Sequence, residues 1–173
     1  MLSRIKEEHL QAIPVPVESR TLRDELCSAR SHVLELISRH LVAFGDRFPA
    51  ETCQNGVYPL TENVEWTTSF WTGQLWLAWE MSGETTFREM AEKLVRSFGL
   101  RIAGRKDTNT HDLGFLYTLS CVAAWRLTGN REARGFALLA AEALLERFHP
   151  KAKIIQAWGD LSDPEQAGRM IID

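Results

Sequence analysis

The segment Ala78-Trp79-Glu80-Met81-Ser82-Gly83 recurs 46 residues later as Ala124-Trp125-Arg126-Leu127-Thr128-Gly129. Each copy is followed by a stretch whose apolar residues recur every three or four positions, which is the spacing of a helix with one buried face. Glycine readily takes the left-handed conformation that reverses the chain after a helix, so Gly83 and Gly129 are predicted to be turns. Each copy is therefore predicted to be a helical hairpin, and such hairpins bury their apolar faces by stacking side by side.

The same spacing predicts helices over most of the chain. A long helix begins near residue 22 and ends before Gly45, and residues 46–65 form a loop. The hairpin helices are predicted over residues 69–81, 87–98, 112–127 and 133–148, the last being ended by Pro150. Because no run of alternating apolar and polar residues predicts a strand, the fold class is predicted to be all-α.

The composition is typical of one globular domain. The 173 residues include 20 basic and 23 acidic side chains, giving a formal net charge of −3, and 45% of them are hydrophobic. A nucleic-acid binder needs an excess of basic residues, and a membrane span needs about 20 consecutive apolar residues, so neither partner is expected. The N-terminal residues mix both charges with isolated apolar residues and are not expected to be a secretory signal, and three widely spaced cysteines (Cys27, Cys53 and Cys121) are typical of reduced thiols. We therefore expect a cytoplasmic location.

The repeat predicts which residues share one end of the stack. The loops that precede the first helix of each hairpin lie on the same side, and a shift of 46 residues relates Trp66 to Asp112. A third hairpin would begin near Asp173, which follows Met170-Ile171-Ile172. One indole and two carboxyl groups are thus predicted to gather at one end of the array.

Two interpretations of these acids remain open. Asp112 and Asp173 each precede a predicted helix, where aspartate commonly caps free backbone amides, and local chemistry alone favours capping. A pair of acids in one pocket could instead divide the work of a proton donor and a base. The apolar residues before Asp173 would raise its pKa and make it the better donor, whereas a helix N-terminus favours a negative charge on Asp112. His111, taken alone, is equally well explained as a surface histidine.

The six tryptophans divide between helices and loops. Trp76, Trp79 and Trp125 lie on predicted helix faces and are expected in the core. Trp66 and Trp158 lie in predicted loops, where an indole either packs on the helices or stacks on a sugar ring. The charged run of residues 105–107 is expected to be solvated.

Four segments together resemble a known family. Residues 65–78 (EWTTSFWTGQLWLA), 109–115 (NTHDLGF), 156–159 (QAWG) and 169–173 (RMIID) are similar, in this order, to the unsaturated glucuronyl hydrolases of glycoside hydrolase family 88. The resemblance covers about residues 48–173. It implies an (α/α)6 barrel, a ring of six helical hairpins, and an enzyme that hydrates the C4=C5 vinyl ether of an unsaturated uronic acid left by polysaccharide lyases. The hydrated sugar then opens and the glycosidic bond is lost.

The resemblance also implies roles for particular residues. Asp173 would be the general acid/base that protonates the double bond and directs water to the neighbouring carbon. Asp112 would orient the sugar and stabilise developing positive charge, and Trp66, His111 and Trp158 would line the sugar subsite. The substrate would be an unsaturated uronic-acid oligosaccharide of the glycosaminoglycan type, and no metal or organic cofactor is implied.

Length separates this chain from a full ring. Six hairpins of about 46 residues need roughly 280 residues, so residues 1–173 are expected to form one incomplete toroid domain. That domain would have an N-terminal arm over 1–18 and hairpins from about 19, with about half of the ring present. Such a chain is expected to have little activity alone and to self-associate through exposed apolar helix faces. The alternatives are an unsaturated rhamnogalacturonyl hydrolase and a helical-repeat interaction module without catalysis.

Overall fold

A computed structural model describes residues 20–171 of the chain, with side chains from residue 22. The predicted arm 1–18 and Asp173 lie outside these residues. The helices are α1 (Arg20–Phe44), α2 (Thr68–Ser82), α3 (Thr85–Ala103), α4 (Leu113–Tyr117), α5 (Ala123–Thr128) and α6 (Arg131–Leu145). A π turn, Thr118–Val122, joins α4 to α5 without a break. Over the described range, none of the helices has the length and apolar character that crossing a membrane requires.

The two predicted hairpins are present. Helices α2 and α3 reverse direction at Gly83, whose φ of 76° is left-handed, and α5 and α6 reverse at Gly129, whose φ is 75°. In each case the glycine N–H donates to the carbonyl of the tryptophan four residues earlier, Trp79 or Trp125. The repeated Trp-to-Gly segment therefore closes both helices in the same way.

The hairpins stack in two layers. Helix α2 packs against α4, the π turn and α5, while α3 packs against α6, and α1 packs against α2. Apolar side chains between the layers form a continuous core, of which the largest fully buried members are Trp71, Trp76, Phe48, Phe87 and Phe98. Helices α3 and α6 approach closely because Gly99 faces the ring of Phe136 with no side chain between them.

The second hairpin carries one extra helical residue. Its first helix runs from 113 to 128 and that of the first hairpin from 68 to 82, although the closing glycines are 46 residues apart. A π turn takes one more residue than a regular helical turn, so Thr118–Val122 accommodates the surplus. Asp112 is consequently the N-cap of its helix, in the position that Thr67 occupies in the first hairpin. Trp66 and Asp112 both lie where the first helix of their hairpin begins, as the shift of 46 residues predicted, and Trp66 is one position further from its helix.

The described part contains short strands that the sequence pattern did not predict. Strand β1 (Phe48–Pro49) pairs antiparallel with β2 (Leu60–Thr61), and β3 (Phe148–His149) pairs antiparallel with β4 (Ile154–Ile155). Helix α6 therefore ends three residues before Phe148, whose predicted place in a helix is wrong.

One core prediction is also wrong. Trp76 is fully buried and Trp79 is half-buried, but 41% of Trp125 is exposed. Its ring lies under the guanidinium of Arg134 in the next helix, 5.4 Å from the ring centre. The apolar spacing of α5 placed Trp125 on a plausible core face, but this cation–π contact holds it at the surface.

Candidate functional site

The carboxyl group of Asp112 does not cap its helix. Although Asp112 is the N-cap residue, its side chain accepts no bond from the first turn. One carboxyl oxygen accepts a 2.6 Å bond from the Thr110 hydroxyl, and the other lies 3.1 Å from Nε2 of His111. The Thr110 hydroxyl in turn accepts from the backbone N–H of Asp112. The capping interpretation of Asp112 is therefore wrong, and its carboxyl is held at the surface by two neighbours.

His111 connects this segment to the loop that carries Trp158. The backbone N–H of His111 donates to the carbonyl of Ala157 at 2.8 Å. The two rings meet edge to face, with 6.4 Å between the centres of the His111 and Trp158 rings. Because 44% of Trp158 remains exposed, its indole contacts His111 on one side and solvent on the other.

Trp66 packs against the helix that follows Asp112. Its ring packs edge to face against Phe115, at 6.0 Å, and against Phe70, at 6.3 Å. Its indole N–H donates to the carboxylate of Glu51, and 46% of the residue is exposed. Trp66 is thus fixed in orientation while much of its surface stays accessible.

An open pocket of about 280 Å³ lies between these segments. It is lined by Val64, Glu65, Trp66, Arg101, Asp107, Asn109, Thr110 and Asp112. Burial lowers the pKa of Arg101, and the negative charges of Asp107, Asp112 and Glu65 act against that effect. The pocket therefore combines an accessible indole with several carboxyl groups around one buried cation.

Four of the five predicted site residues come together. Trp66, His111, Asp112 and Trp158 form one cluster at the end of the hairpins where helices α2 and α4 begin, and Asp173 lies outside the described residues. The backbone N–H of Ala157 donates to the carbonyl of Arg169 at 2.8 Å, so the segment leading toward Asp173 runs beside the Trp158 loop. Among residues 22–171, no three His, Cys, Asp or Glu side chains lie close enough to share a metal ion.

Sequence reasoning missed three buried polar residues behind the site. Arg101, Arg147 and Gln156 are almost completely buried and bond to the loops that carry the cluster. The Gln156 amide donates to the carbonyl of Trp158 at 3.0 Å. The run of residues 105–107 was expected to be solvated, and all three residues are exposed. Arg105 pairs on the surface with Glu146, and Asp107 lies at the open pocket.

Comparison with known proteins was made at the level of sequence and of structure. No family model matches the chain. The chain is 44% identical over 151 residues to the unsaturated chondroitin disaccharide hydrolase of Streptococcus pneumoniae, and this alignment covers 87% of the chain and 38% of that protein. It is also 44% identical over 140 residues to the unsaturated glucuronyl hydrolase of Bacillus sp. strain GL1, covering 81% of this chain and 37% of the relative. The chain thus spans about two fifths of the length of these curated relatives.

Solved structures give the same result. The crystal structure of the Bacillus sp. GL1 unsaturated glucuronyl hydrolase matches with a TM-score of 0.76 and 43% identity, covering 80% of this chain and 37% of that one. The enzyme from Streptococcus agalactiae matches with a TM-score of 0.75 and 38% identity, covering 79% and 36% of the two chains. Over the part of their length that it spans, the chain is therefore similar in sequence and in fold to the unsaturated glucuronyl hydrolases, which are α/α barrels, as its motifs indicated.

Proposed function

We propose that this chain supplies part of the active site of a glycoside hydrolase that releases an unsaturated uronic acid by hydrating its C4=C5 vinyl ether. The observation that carries this proposal is the Asp112 carboxyl, which is free of any capping bond and lines a pocket walled by the half-exposed indole of Trp66. An indole face suits the C–H face of a sugar ring, and a carboxylate suits its hydroxyl groups and developing positive charge. Trp158 and His111 would extend the same sugar-binding surface.

In the proposed reaction, Asp173 is the general acid/base. It protonates one carbon of the double bond and directs a water molecule to the other, after which the hydrated ring opens and the leaving sugar departs. The carbonyl of Arg169 accepts a bond from the backbone N–H of Ala157, so the chain that leads to Asp173 passes beside the Trp158 loop. The same loop is bonded to the Asp112 segment through the His111 N–H and the Ala157 carbonyl.

Structures of a relative support the choice of these two acids. The Streptococcus agalactiae enzyme has been solved with either of two aspartates replaced by asparagine, one of these variants in complex with dGlcA-GalNAc6S. The separation of those two aspartates along the sequence differs by one position from that between Asp112 and Asp173. We propose that Asp112 and Asp173 have the corresponding roles here.

The test uses a chimera that provides a full-length enzyme. Residues 1–173 replace the matching part of the Bacillus sp. GL1 relative, and loss of the ultraviolet absorbance of the conjugated double bond is followed with an unsaturated chondroitin disaccharide. Asp112→Asn and Asp173→Asn should each lower kcat by at least about 100-fold, since each removes a group that acts on the transition state. Asp46→Asn, which removes an exposed carboxyl paired with Lys93, is the matched control. Full activity of either site variant would refute the assignment.

The substrate class is part of the proposal. Relatives named for chondroitin disaccharides favour a glycosaminoglycan-type substrate over the rhamnogalacturonan type. The same chimera should therefore hydrate chondroitin-derived disaccharides faster than pectin-derived ones. A preference for the pectin-derived product would favour the unsaturated rhamnogalacturonyl hydrolase alternative. Binding of a protein partner without any turnover would favour an interaction module.

A further inference from the structure

Two buried arginines occupy the same place in the two hairpins. Arg101 lies in the last turn of α3 and Arg147 just beyond the end of α6, 46 residues apart, and only 3% and 2% of their surfaces are exposed. A buried guanidinium is retained at low cost only when its N–H groups are satisfied, so the bonds of this pair define their role.

Each arginine bonds to an asparagine at the start of its own hairpin. The guanidinium of Arg101 donates to the side-chain oxygen of Asn63 at 3.1 Å, and that of Arg147 donates to the side-chain oxygen of Asn109. Asn63 and Asn109 are themselves 46 residues apart. The repeat therefore duplicates a complete arginine–asparagine pair, which we call the clamp of each hairpin.

Each clamp also holds the loop that leaves its hairpin. Arg101 donates to the carbonyls of Lys106 and Asp107, while Arg147 donates to the carbonyls of Gln156, at 2.8 Å, and Gly159, at 3.3 Å. Asn109 is three residues before Asp112, and Gln156 and Gly159 flank the Trp158 segment. The clamp of the second hairpin thus binds both segments of the candidate site from behind.

The two clamps hold different site residues. Arg101 also donates to the carbonyls of Val64, at 3.3 Å, and Glu65, at 2.9 Å, directly before Trp66. The second clamp lies behind the bond from the His111 N–H to the Ala157 carbonyl, which joins the Asp112 and Trp158 segments. Fixed side chains at an active site depend on such supporting bonds, because a displacement of about 1 Å greatly weakens catalysis.

We infer that Arg147 and Asn109 are positioning residues that dock the Asp112 segment onto the Trp158 loop, and that Arg101 and Asn63 do the same for Trp66. This inference depends on the proposed function only for the identity of the molecule that the site binds. The docking itself can be measured on this chain without substrate, so its failure is distinguishable from a failure of the proposed activity.

The test uses one reporter for each clamp in the 173-residue chain. Hydrogen exchange of the His111 backbone amide reports the second clamp, and the indole N–H signal of Trp66 in a ¹H–¹⁵N spectrum reports the first. Asn109→Leu, which keeps the side-chain size but removes the acceptor, should raise the exchange rate of the His111 amide by roughly 10- to 100-fold. It should leave the Trp66 signal unchanged. Asn63→Leu should shift the Trp66 signal and leave the His111 amide protected.

Two further variants separate docking from general stability. Asn109→Asp keeps an acceptor for Arg147 and should retain protection of the His111 amide, whereas Arg147→Lys should lose it because lysine lacks the planar fork. Asn109 lies on an exposed loop, so its two variants are expected to fold and are sufficient for the test if Arg147→Lys fails to fold. An unchanged His111 amide in Asn109→Leu would overturn the inference. An equal loss of His111 amide protection in Asn109→Leu and Asn109→Asp would also overturn it. Faster exchange throughout α3 and α6 in both leucine variants would overturn it as well, because it would indicate a general loss of stability.

Discussion

The three residues Thr110, His111 and Asp112 show how neighbouring side chains can keep an N-cap carboxyl from capping its own helix. Aspartate at an N-cap ordinarily accepts from the amides of the first turn. Here the Thr110 hydroxyl and the His111 ring occupy the two carboxyl oxygens instead. The Asp112 carboxyl thereby keeps a defined orientation toward the pocket and does not bond to the backbone amides of its own helix.

The Thr110 hydroxyl is expected to matter for the proposed reaction. Thr110→Val in the full-length chimera should lower kcat by about 10-fold, because a hydrogen bond to a charged group is lost while the side-chain shape is kept. Thr108→Val, two residues earlier in the same loop, is the control. Steady-state kinetics with the unsaturated disaccharide would measure both, and equal rates for the two variants would contradict a specific role of Thr110.

Sequence reasoning found the exposed residues of the site but not the buried ones behind them. Trp66, His111, Asp112 and Trp158 were identified because Trp66 and Trp158 lie in loops, because the repeat places Trp66 and Asp112 at one end of the array, and because their motifs resemble a family. Arg101 and Arg147 were missed because an arginine near a helix end is usually a solvated residue. Their common distance of 46 residues was the available signal, and it becomes meaningful only when the asparagines are matched at the same distance.

At the level of helices, two glycines provide a matched test of packing. Gly99 of α3 faces the Phe136 ring, which an added methyl group would overlap, whereas Gly135 of α6 faces open space. Gly99→Ala is expected to lower the free energy of unfolding by about 1–3 kcal/mol through overpacking. Gly135→Ala should raise it by about 0.5–1 kcal/mol, since alanine loses less entropy in a helix.

Urea denaturation of both glycine variants would check these opposite signs. A stabilising effect of Gly99→Ala would mean that α3 and α6 have room to separate. In that case the close contact between Gly99 and Phe136 would not set the distance between the two hairpins.

Helix positions were predictable, and helix interruptions were not. The Gly-ended segments predicted the ends of α2 and α5 to within one residue, because left-handed glycine is a strong local signal. The π turn has no such signal, since it depends on how the loop before α4 is held by tertiary bonds. Strands β1 to β4 are two residues each, too short for alternation to be recognised in the sequence.

At the scale of the whole molecule, a buried thiol and a buried tyrosine hydroxyl predict that the stability of the fold depends on alkaline pH. Burial raises the pKa of Cys121 from 9.0 to about 12 and raises that of Tyr117 as well. In the unfolded chain the Cys121 thiol loses its proton near pH 9, whereas in the folded chain the thiol stays protonated up to about pH 12. The unfolded state therefore binds fewer protons over this range, so the free energy of unfolding should fall as pH rises from 9 to 12.

Urea midpoints at pH 7.5 and pH 10 would measure this fall. Cys121→Ala should make the midpoint less dependent on pH, while Cys53→Ala, at an exposed thiol, should leave the dependence unchanged. Equal midpoints for the unsubstituted chain at both pH values would contradict the prediction.

The exposed faces of the helices predict association between copies of the chain. Leu138 and Leu139 lie half exposed side by side on α6, and Leu145 at its end is 64% exposed. Light scattering of the 173-residue chain should therefore give a mass that rises with concentration. The double change Leu138→Glu and Leu139→Glu should lower that mass, and Arg131→Glu on the same helix should not. A stable monomer at all concentrations would refute self-association.

The surplus residue in Thr118–Val122 makes this turn a place where the helix can lose a residue without changing the direction of Asp112. Deleting one residue there would leave a regular α-helix, an intact Gly129 turn and a nearly unchanged register on both sides. Deleting one residue in the regular helical part, in α5, would instead turn everything on its N-terminal side by about 100° around the helix axis relative to the rest. A single-codon loss well away from the pocket would thus silence the site in one case and spare it in the other, with a normal helical spectrum in both.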